Sequence, residues 1–558
     1  MRLSLPLFYG LILLFLSPLS AWAQSESETP KPKPVRVSGG LNAYAGFYQA
    51  SGIENRNQTT PFGLSASATV SLPGGISLPF SVIVGNQGAS FRQPFNQFGI
   101  SPTYKWATVH AGYRNVQFSP FTLASHTFLG GGVELNPGKL RIGAVYGRFN
   151  KAISTDLANP DQAIPSFKRT GYAVKLGYGS AANYVDVVLL NAADDTSSIT
   201  GTQGITPARN TVLGVTSRLS LANKNFSFEM DIAGSAYTRD TRAQLVPLSD
   251  KPLMKTFNLF MPAQLSTQLT TAAQLGLGYR SKNFGLKLQY KRIEPNFQTM
   301  GSYYFQSDIQ SFTIAPSINL LNSKLRIIGS LGLQQDNLAK TKNAQTGRKI
   351  GSLVISYNPS NAFGIDFQFS NYGISQQAGL RPIIDTLRLA QNNLSLMANL
   401  RYSIQNEAFS HLFTLTGTHQ QLSDLNNTTS AFTQNQNQNI NLGYFLTELA
   451  LGWSANAMVS YTQTALPQDQ MVRFYGPTVG ISYPLLDKKL NTSFNASYLI
   501  NQQLGVTGKV INASLNASYQ LGKRQSLNLQ LGYLNSNTGQ PDQKFNELRG
   551  SLGYGISF

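Results

Sequence analysis

Along most of this chain apolar and polar residues alternate one for one in stretches of about 10 to 14, the period of a strand with two unlike faces. The clearest stretches lie near the C-terminus. Leu490, Phe494, Ala496, Tyr498 and Ile500 share one face, and Asn491, Ser493, Asn495 and Ser497 share the other. Ile511, Ala513, Leu515, Ala517, Tyr519 and Leu521 then oppose Asn512, Ser514, Asn516, Ser518 and Gln520, and Leu527, Leu529, Leu531 and Tyr533 repeat the pattern. A soluble sandwich would alternate too, so the connections decide. Short turns such as Pro73-Gly74-Gly75, Pro137-Gly138-Lys139, Asn322-Ser323-Lys324 and Asp487-Lys488-Lys489 take turns with longer polar segments at 151–168, 193–208, 238–266, 374–388 and 422–436. Tight turns on one rim and long loops on the other belong to a membrane barrel. The chain reads as all-β, a single transmembrane antiparallel β-barrel of about 26 strands, within a range of about 22 to 28.

The two ends refine this picture. Residues 1–23 carry Arg2, an apolar run through Leu11-Ile12-Leu13-Leu14-Phe15-Leu16 and the small-residue site Ala21-Trp22-Ala23, the layout of a cleaved secretory signal peptide. Residues 24–38, with Pro30, Pro32 and Pro34 between lysines, read as a flexible periplasmic tail, and 39–558 as the barrel. No later stretch reaches the run of about 20 apolar residues that a spanning helix needs. Passage through a membrane must then use strands, and only a closed barrel satisfies their backbone groups. At the far end Leu552, Tyr554, Ile556 and Phe558 alternate with Ser551, Gly553, Gly555 and Ser557. This resembles the terminal signal engaged by the barrel-assembly machinery, with Gly550 the one weak position on its apolar face. The expected location is the bacterial outer membrane, with lipid and lipopolysaccharide as surroundings.

Composition removes other classes. Only 12% of residues are charged, Gly (49), Tyr (25) and Phe (32) are abundant, and cysteine is absent, so an exported chain of this kind is held by strand ladders and not by disulfides. The formal charge of +19 is scattered singly along the chain. Export sets nucleic acid aside, leaving lipopolysaccharide phosphates or an anion-attracting lumen as the fitting partners.

Two stretches carry a family resemblance. NQFGISPTYKWATVHAGYRN (96–115) and GGGVELNPGKLRIGAVYGRF (130–149) resemble a group of large outer-membrane proteins of the Bacteroidota, densest over about 60–150. The resemblance implies location and architecture and transfers no catalytic motif.

The candidate chemistry is that of a lumen. By alternation Lys175, Arg280, Lys287, Lys291, Arg326, Arg401 and Arg549 point inward, as do Asp186, Glu229, Asp231 and Asp366. They would either impose a field favouring anions or zwitterions, or pair with one another and solvate the wall. The tail is too short for an N-terminal plug, and a barrel this wide would leak. Two aromatic segments are candidate constrictions, one with Phe118, Phe121, His126 and Phe128, the other with Phe257 and Phe260. A partner, such as a plugging protein or surface lipoprotein, would serve the same end. His110, His126, His411 and His419 are too scattered for an active site, and neither a metal nor a cofactor is implied. The reading is a passive or partner-gated channel for small polar, including anionic, solutes. The alternative is a structural or assembly subunit scaffolding partner proteins; a surface hydrolase ranks third.

Overall fold

The computed structural model describes residues 35–558 except 87–96, 125, 155–164, 200–204, 222–223, 247–251, 303–305, 342–343, 379–389, 427–428, 469 and 540–543. The expected signal peptide and most of the expected tail lie outside the described residues. The strands in chain order are β1 Arg36–Ser51, β2 Phe62–Leu72, β3 Ile76–Gly85, β4 Gln97–Ile100, β5 Thr103–Tyr104, β6 Ala107–Asn115, β7 Thr127–Leu135, β8 Leu140–Asn150 and β9 Arg169–Gly179. They continue with β10 Tyr184–Asp194, β11 Arg209–Leu221, β12 Phe226–Thr238, β13 Thr267–Arg280, β14 Phe284–Ile293, β15 Ile309–Leu320, β16 Leu325–Gln335, β17 Ala344–Tyr357 and β18 Phe363–Ala378. The last are β19 Ala390–Gln405, β20 Phe409–Asp424, β21 Asn435–Glu448, β22 Ser454–Leu466, β23 Gln470–Leu485, β24 Leu490–Gln503, β25 Val506–Gly522, β26 Gln525–Asn537 and β27 Lys544–Ser557. Two short helices, α1 Pro252–Asn258 and α2 Ser430–Thr433, sit in connections.

Each strand pairs antiparallel with its neighbours, and β27 pairs with β1 to close the sheet. The fold is one transmembrane antiparallel barrel of 26 wall strands, because β4 and β5 both pair β3 on one side and β6 on the other and act as one interrupted strand. The interruption falls at Ser101-Pro102, where proline has no N–H to give the ladder. Among the described residues no plug domain precedes β1. At the seam Phe558 and Gly39 exchange two backbone hydrogen bonds (2.9 and 3.0 Å). Gly550 is covered there by the ring of Phe47, its direct partner on β1, so the weak position in the last strand is filled from across the seam.

One rim carries only short turns, and the other carries the long connections 116–126, 151–168, 195–208, 239–266 and 294–308. The long-loop rim shrinks toward the C-terminus. β24 and β25 are joined by Leu504-Gly505 alone, both at positive φ (52° and 77°), the two-residue hairpin form that suits strand twist.

Between the rims the outer face carries an apolar band. Tyr146, Leu176, Tyr178, Val187, Leu277, Leu331, Phe494 and Leu552 stand exposed on it. Near the short-turn rim Phe409, His411, Phe413, Tyr444 and Trp453 cluster as an aromatic girdle, and the His411 ring is hydrogen-bonded to the Tyr444 hydroxyl at 2.9 Å. This band is what a bilayer requires of a barrel exterior.

Candidate functional site: the lumen

The inner wall has two parts of different chemistry. From β7 to β15 it is covered by loops folded in from the long-loop rim. The first, 116–126, places Val116, Phe118, Phe121 and Leu123 against Val145, Ala173, Val188, Leu190, Val212 and Ala233, all buried on the inner faces of β8 to β12. Only apolar inner side chains could bury those rings at a gain of roughly 1.5 to 3 kcal/mol each. The second, 294–301, brings Phe297 edge-on to Phe121 with centroids 6.2 Å apart. The two loops clasp each other. The Thr299 hydroxyl donates to the Thr122 carbonyl (2.6 Å) and the Ala124 N–H to the Gly301 carbonyl (2.9 Å). They are also tied to the wall, as the Met300 N–H donates to Asn210 Oδ1 (3.0 Å) and the Ser235 hydroxyl to the Gln298 carbonyl (2.6 Å).

His126 is wedged into this layer. Its ring stacks on Phe149 at 5.0 Å, and Nε2 lies 3.0 Å from the Phe149 carbonyl. Burial pushes its pKa down to about 4, outweighing the pull of that carbonyl, so at neutral pH the ring is uncharged.

Toward the short-turn rim the same wall is charged. Arg141 forks onto Asp186 (2.7 and 2.9 Å), Arg218 meets Asp231 (2.9 Å), and Lys287 meets Glu229 (3.1 Å). Glu134 accepts from Lys175 (3.0 Å) and lies 3.3 Å from His110, whose other nitrogen reaches the Ser101 hydroxyl at 2.9 Å. The Lys175 ammonium also stands over the Phe118 ring at 4.7 Å, joining the belt to the loop layer above it.

The other part of the wall, β20 to β26, is neutral. The register puts Thr414, Thr416, Thr418 and Gln420 beside Asn437, Asn439 and Asn441, then Ser460, Thr462 and Thr464. Farther on it aligns Ser493, Asn495 and Ser497 with Asn516, Ser514 and Asn512, and Asn516 and Ser518 with Gln530 and Asn528. Among the described inner-face residues of these strands Asp424 alone is ionisable, and it accepts from the Thr429 and Thr433 hydroxyls at the long-loop rim. Cross-strand bonds fix the amides: Asn437 donates to Thr464 (2.8 Å), Asn439 to Thr462 (2.6 Å) and Asn512 to Ser497 (3.2 Å). Among the described residues no loop aromatic covers them.

The pairing register places Lys175, Arg280, Lys287, Lys291, Arg326, Arg401, Arg549, Asp186, Glu229, Asp231 and Asp366 on this one face. The structure brings three of those acids onto bases, of which alternation had named only Lys287. Arg141, Arg218 and Glu134 were missed, although each sits at an inward position in its strand. Among the described residues Arg280, Lys291, Arg326, Arg401 and Arg549 have no carboxylate within ion-pair distance. Phe118, Phe121, His126 and Phe128 line the filled part of the lumen.

Phe257 and Phe260 do not. Helix α1 folds over the outside of the barrel, where Phe257 and Met261 bury against Ala236, Leu213 and Leu269 and the Phe260 carbonyl accepts from Asn191 (3.2 Å). Those wall residues share the face of Val187 and Ile232, both exposed outward. An apolar loop at a barrel rim can fold to either side, and its sequence does not say which. The lumen's second obstruction comes instead from Phe297 and Met300. The run Phe297-Gln298-Thr299-Met300, followed by Tyr303-Tyr304-Phe305, was the available signal. Among the described residues no group of His, Asp and Glu gathers as a metal site.

No family model matches the sequence, and no curated protein does. Solved structures with a similar course of chain include the translocation pore of the P pilus usher PapC, 12% identical over 94% of this chain and 99% of that one, with a TM-score of 0.37. The siderophore receptor PirA of Pseudomonas aeruginosa is 10% identical over 95% and 81%, also at 0.37. OccK10 (OpdN) of the same organism is 11% identical over 60% and 94%, at 0.33. At these distances no residue role or activity can be carried across.

Proposed function

We propose that the chain is an outer-membrane channel that passes small polar solutes passively, its lumen narrowed by its own loops. The observation that carries this reading is the division of the inner wall. A closed apolar core fills the β7–β15 side, while among the described residues the β20–β26 side carries no apolar loop layer and keeps a polar surface along the barrel. A barrel built only as a scaffold has no use for one polar wall left open beside one so thoroughly filled. The bases without acid partners, Arg280, Lys291, Arg326 and Arg401, outnumber the similarly unpaired Asp366 and give the path a preference for anions. Single-channel recording from purified protein in planar bilayers tests this: discrete steps with anion-favouring reversal potentials are expected, and a silent membrane would remove the reading.

The terminal strand with Leu552, Tyr554, Ile556 and Phe558 is the proposed contact for the assembly machinery, consistent with the resemblance to Bacteroidota barrels. A second reading, a scaffold for partner proteins or a partner-gated pore, is favoured by the outer loop. Leu245, Leu259 and Leu265 around α1 are exposed at 62%, 80% and 77%. Such a patch suits a lipoprotein or the outer leaflet. Co-purification from native membranes checks it, and a protein that always emerges alone would count against it.

A further inference from the structure

Among the described residues of the wall strands β20 to β27, Arg549 on β27 is the one arginine or lysine on the inner face. Its guanidinium stem lies flat across Gly532 of β26, with Nε 3.0 Å from where a Cβ would stand. Any side chain at 532 would lift it off the wall. Glu547, two residues away on the same face, is engaged elsewhere, 3.6 Å from Arg56 of the β1–β2 loop, whose guanidinium also stacks on Phe545. Among the described residues no carboxylate reaches Arg549. Its donors are therefore held in place with their charge unspent.

The surroundings are of one kind. Arg549 borders a wall cavity of about 1030 Å³ whose polar lining comes from Tyr48, Asn57, Gln58, Ser514, Asn516, Gln530 and Ser551 and from Arg56, the cation that Glu547 already engages. A second cavity of about 320 Å³ adjoins it, shares Arg549 and Ser514, and adds Asn495, Ser497, Asn512 and Glu547, the last turned to Arg56. Amides and hydroxyls each both donate and accept. A ligand matching them must do the same at several points, as the hydroxyls of a sugar ring do. One guanidinium meets one carboxylate in a two-bond fork. A phosphate dianion would leave charge unmatched, and a simple carboxylate would leave the amide field unused.

We propose that the β24–β27 wall at Arg549 is a binding subsite for a carboxylated saccharide unit, a uronic acid. Arg549 holds the carboxylate, and Asn512, Asn516 and Gln530 hold ring hydroxyls. The inference rests on the channel reading for its purpose but not for its test. Binding there is weak, because each amide–hydroxyl bond replaces one to water and gains little net, and a solute in transit must also leave.

The test uses the full-length protein in detergent and in planar bilayers, with glucuronate, glucose and acetate as probes. Equilibrium binding by calorimetry is expected to rank glucuronate first, with R549Q weakening it roughly tenfold and R549K less. Asn516→Ala is expected to weaken glucuronate and glucose alike, by about fivefold, while leaving acetate unchanged. Acetate binding as well as glucuronate, or glucuronate binding equally to R549Q, would overturn the subsite. If glucuronate binds as expected and no variant or wild-type protein ever conducts, the subsite stands and the channel reading falls. If the protein conducts and glucuronate gives neither saturable binding nor concentration-dependent block, the subsite falls alone.

Discussion

The two sides of this barrel are made by opposite uses of the same alternation. On β10 the run Val187-Val188-Leu189-Leu190 is apolar on both faces, because Val187 and Leu189 face outward and Val188 and Leu190 lie beneath the folded-in loop. On β25 the run Asn512-Ala513-Ser514-Leu515-Asn516 switches at every residue, because among the described residues only the polar stretch Arg56-Asn57-Gln58 comes near its inner face. A strand that alternates strictly thus marks open lumen, and a strand that loses its alternation marks lumen already filled. The difference teaches where a solute can pass.

The largest effect is expected from the filled side. Replacing 117–124 by a short Gly-Ser linker removes the loop core and should raise single-channel conductance roughly twofold or more, whereas shortening the neutral side's hairpin at 504–505 should not. Phe121→Ala is the gentler form. It deletes a side chain only 2% exposed, and should cost about 3 to 5 kcal/mol locally, read as early proteolysis of the loop in folded protein.

Next comes the charge belt. Asp186→Asn strands the partly buried Arg141 and should lower unfolding stability by roughly 3 kcal/mol in urea. R401Q has no acid to leave behind and should change anion selectivity without a comparable loss.

A pH effect follows from His126. Its folded pKa lies below the ordinary value of 6.5, at about 4, so the undocked loop binds the proton first. The docked state is fully favoured above pH ~6.5 and loses at most about 3 kcal/mol as pH falls to about 4. Conductance should therefore rise between those values and stay flat in His126→Gln, with Arg169, the cation nearest in its effect, left in place.

The smallest effect is expected outside. Phe257→Ala should free the external loop and change protease sensitivity at 239–266 while leaving conductance as it was; a conductance change would return Phe257 to the lumen.

The barrel was legible in the sequence because each open strand had to present one face to lipid and the other to water, and the middles of β24, β25 and β26 do so residue by residue. The rim asymmetry was legible because hairpin turns favour Gly, Asn or Lys at left-handed positions, as at Gly138, Asn322 and Lys488 on the short-turn rim. Within the site, inward charges such as Lys175 and Asp186 were legible from parity alone. Their partners Glu134 and Arg141 were not, since pairing depends on neighbours in register. The side on which a loop packs is set by facing surfaces that form only after folding. Phe121 and Phe257 look alike in sequence, yet one meets Phe297 inside and the other Ala236 outside.

The most direct measurement is a pair of single-channel recordings in planar bilayers, of the intact protein and of the protein lacking 117–124. Small, anion-preferring steps that enlarge on removal of the segment are expected. Silence in both, or steps of equal size, would contradict a channel narrowed by its own loops.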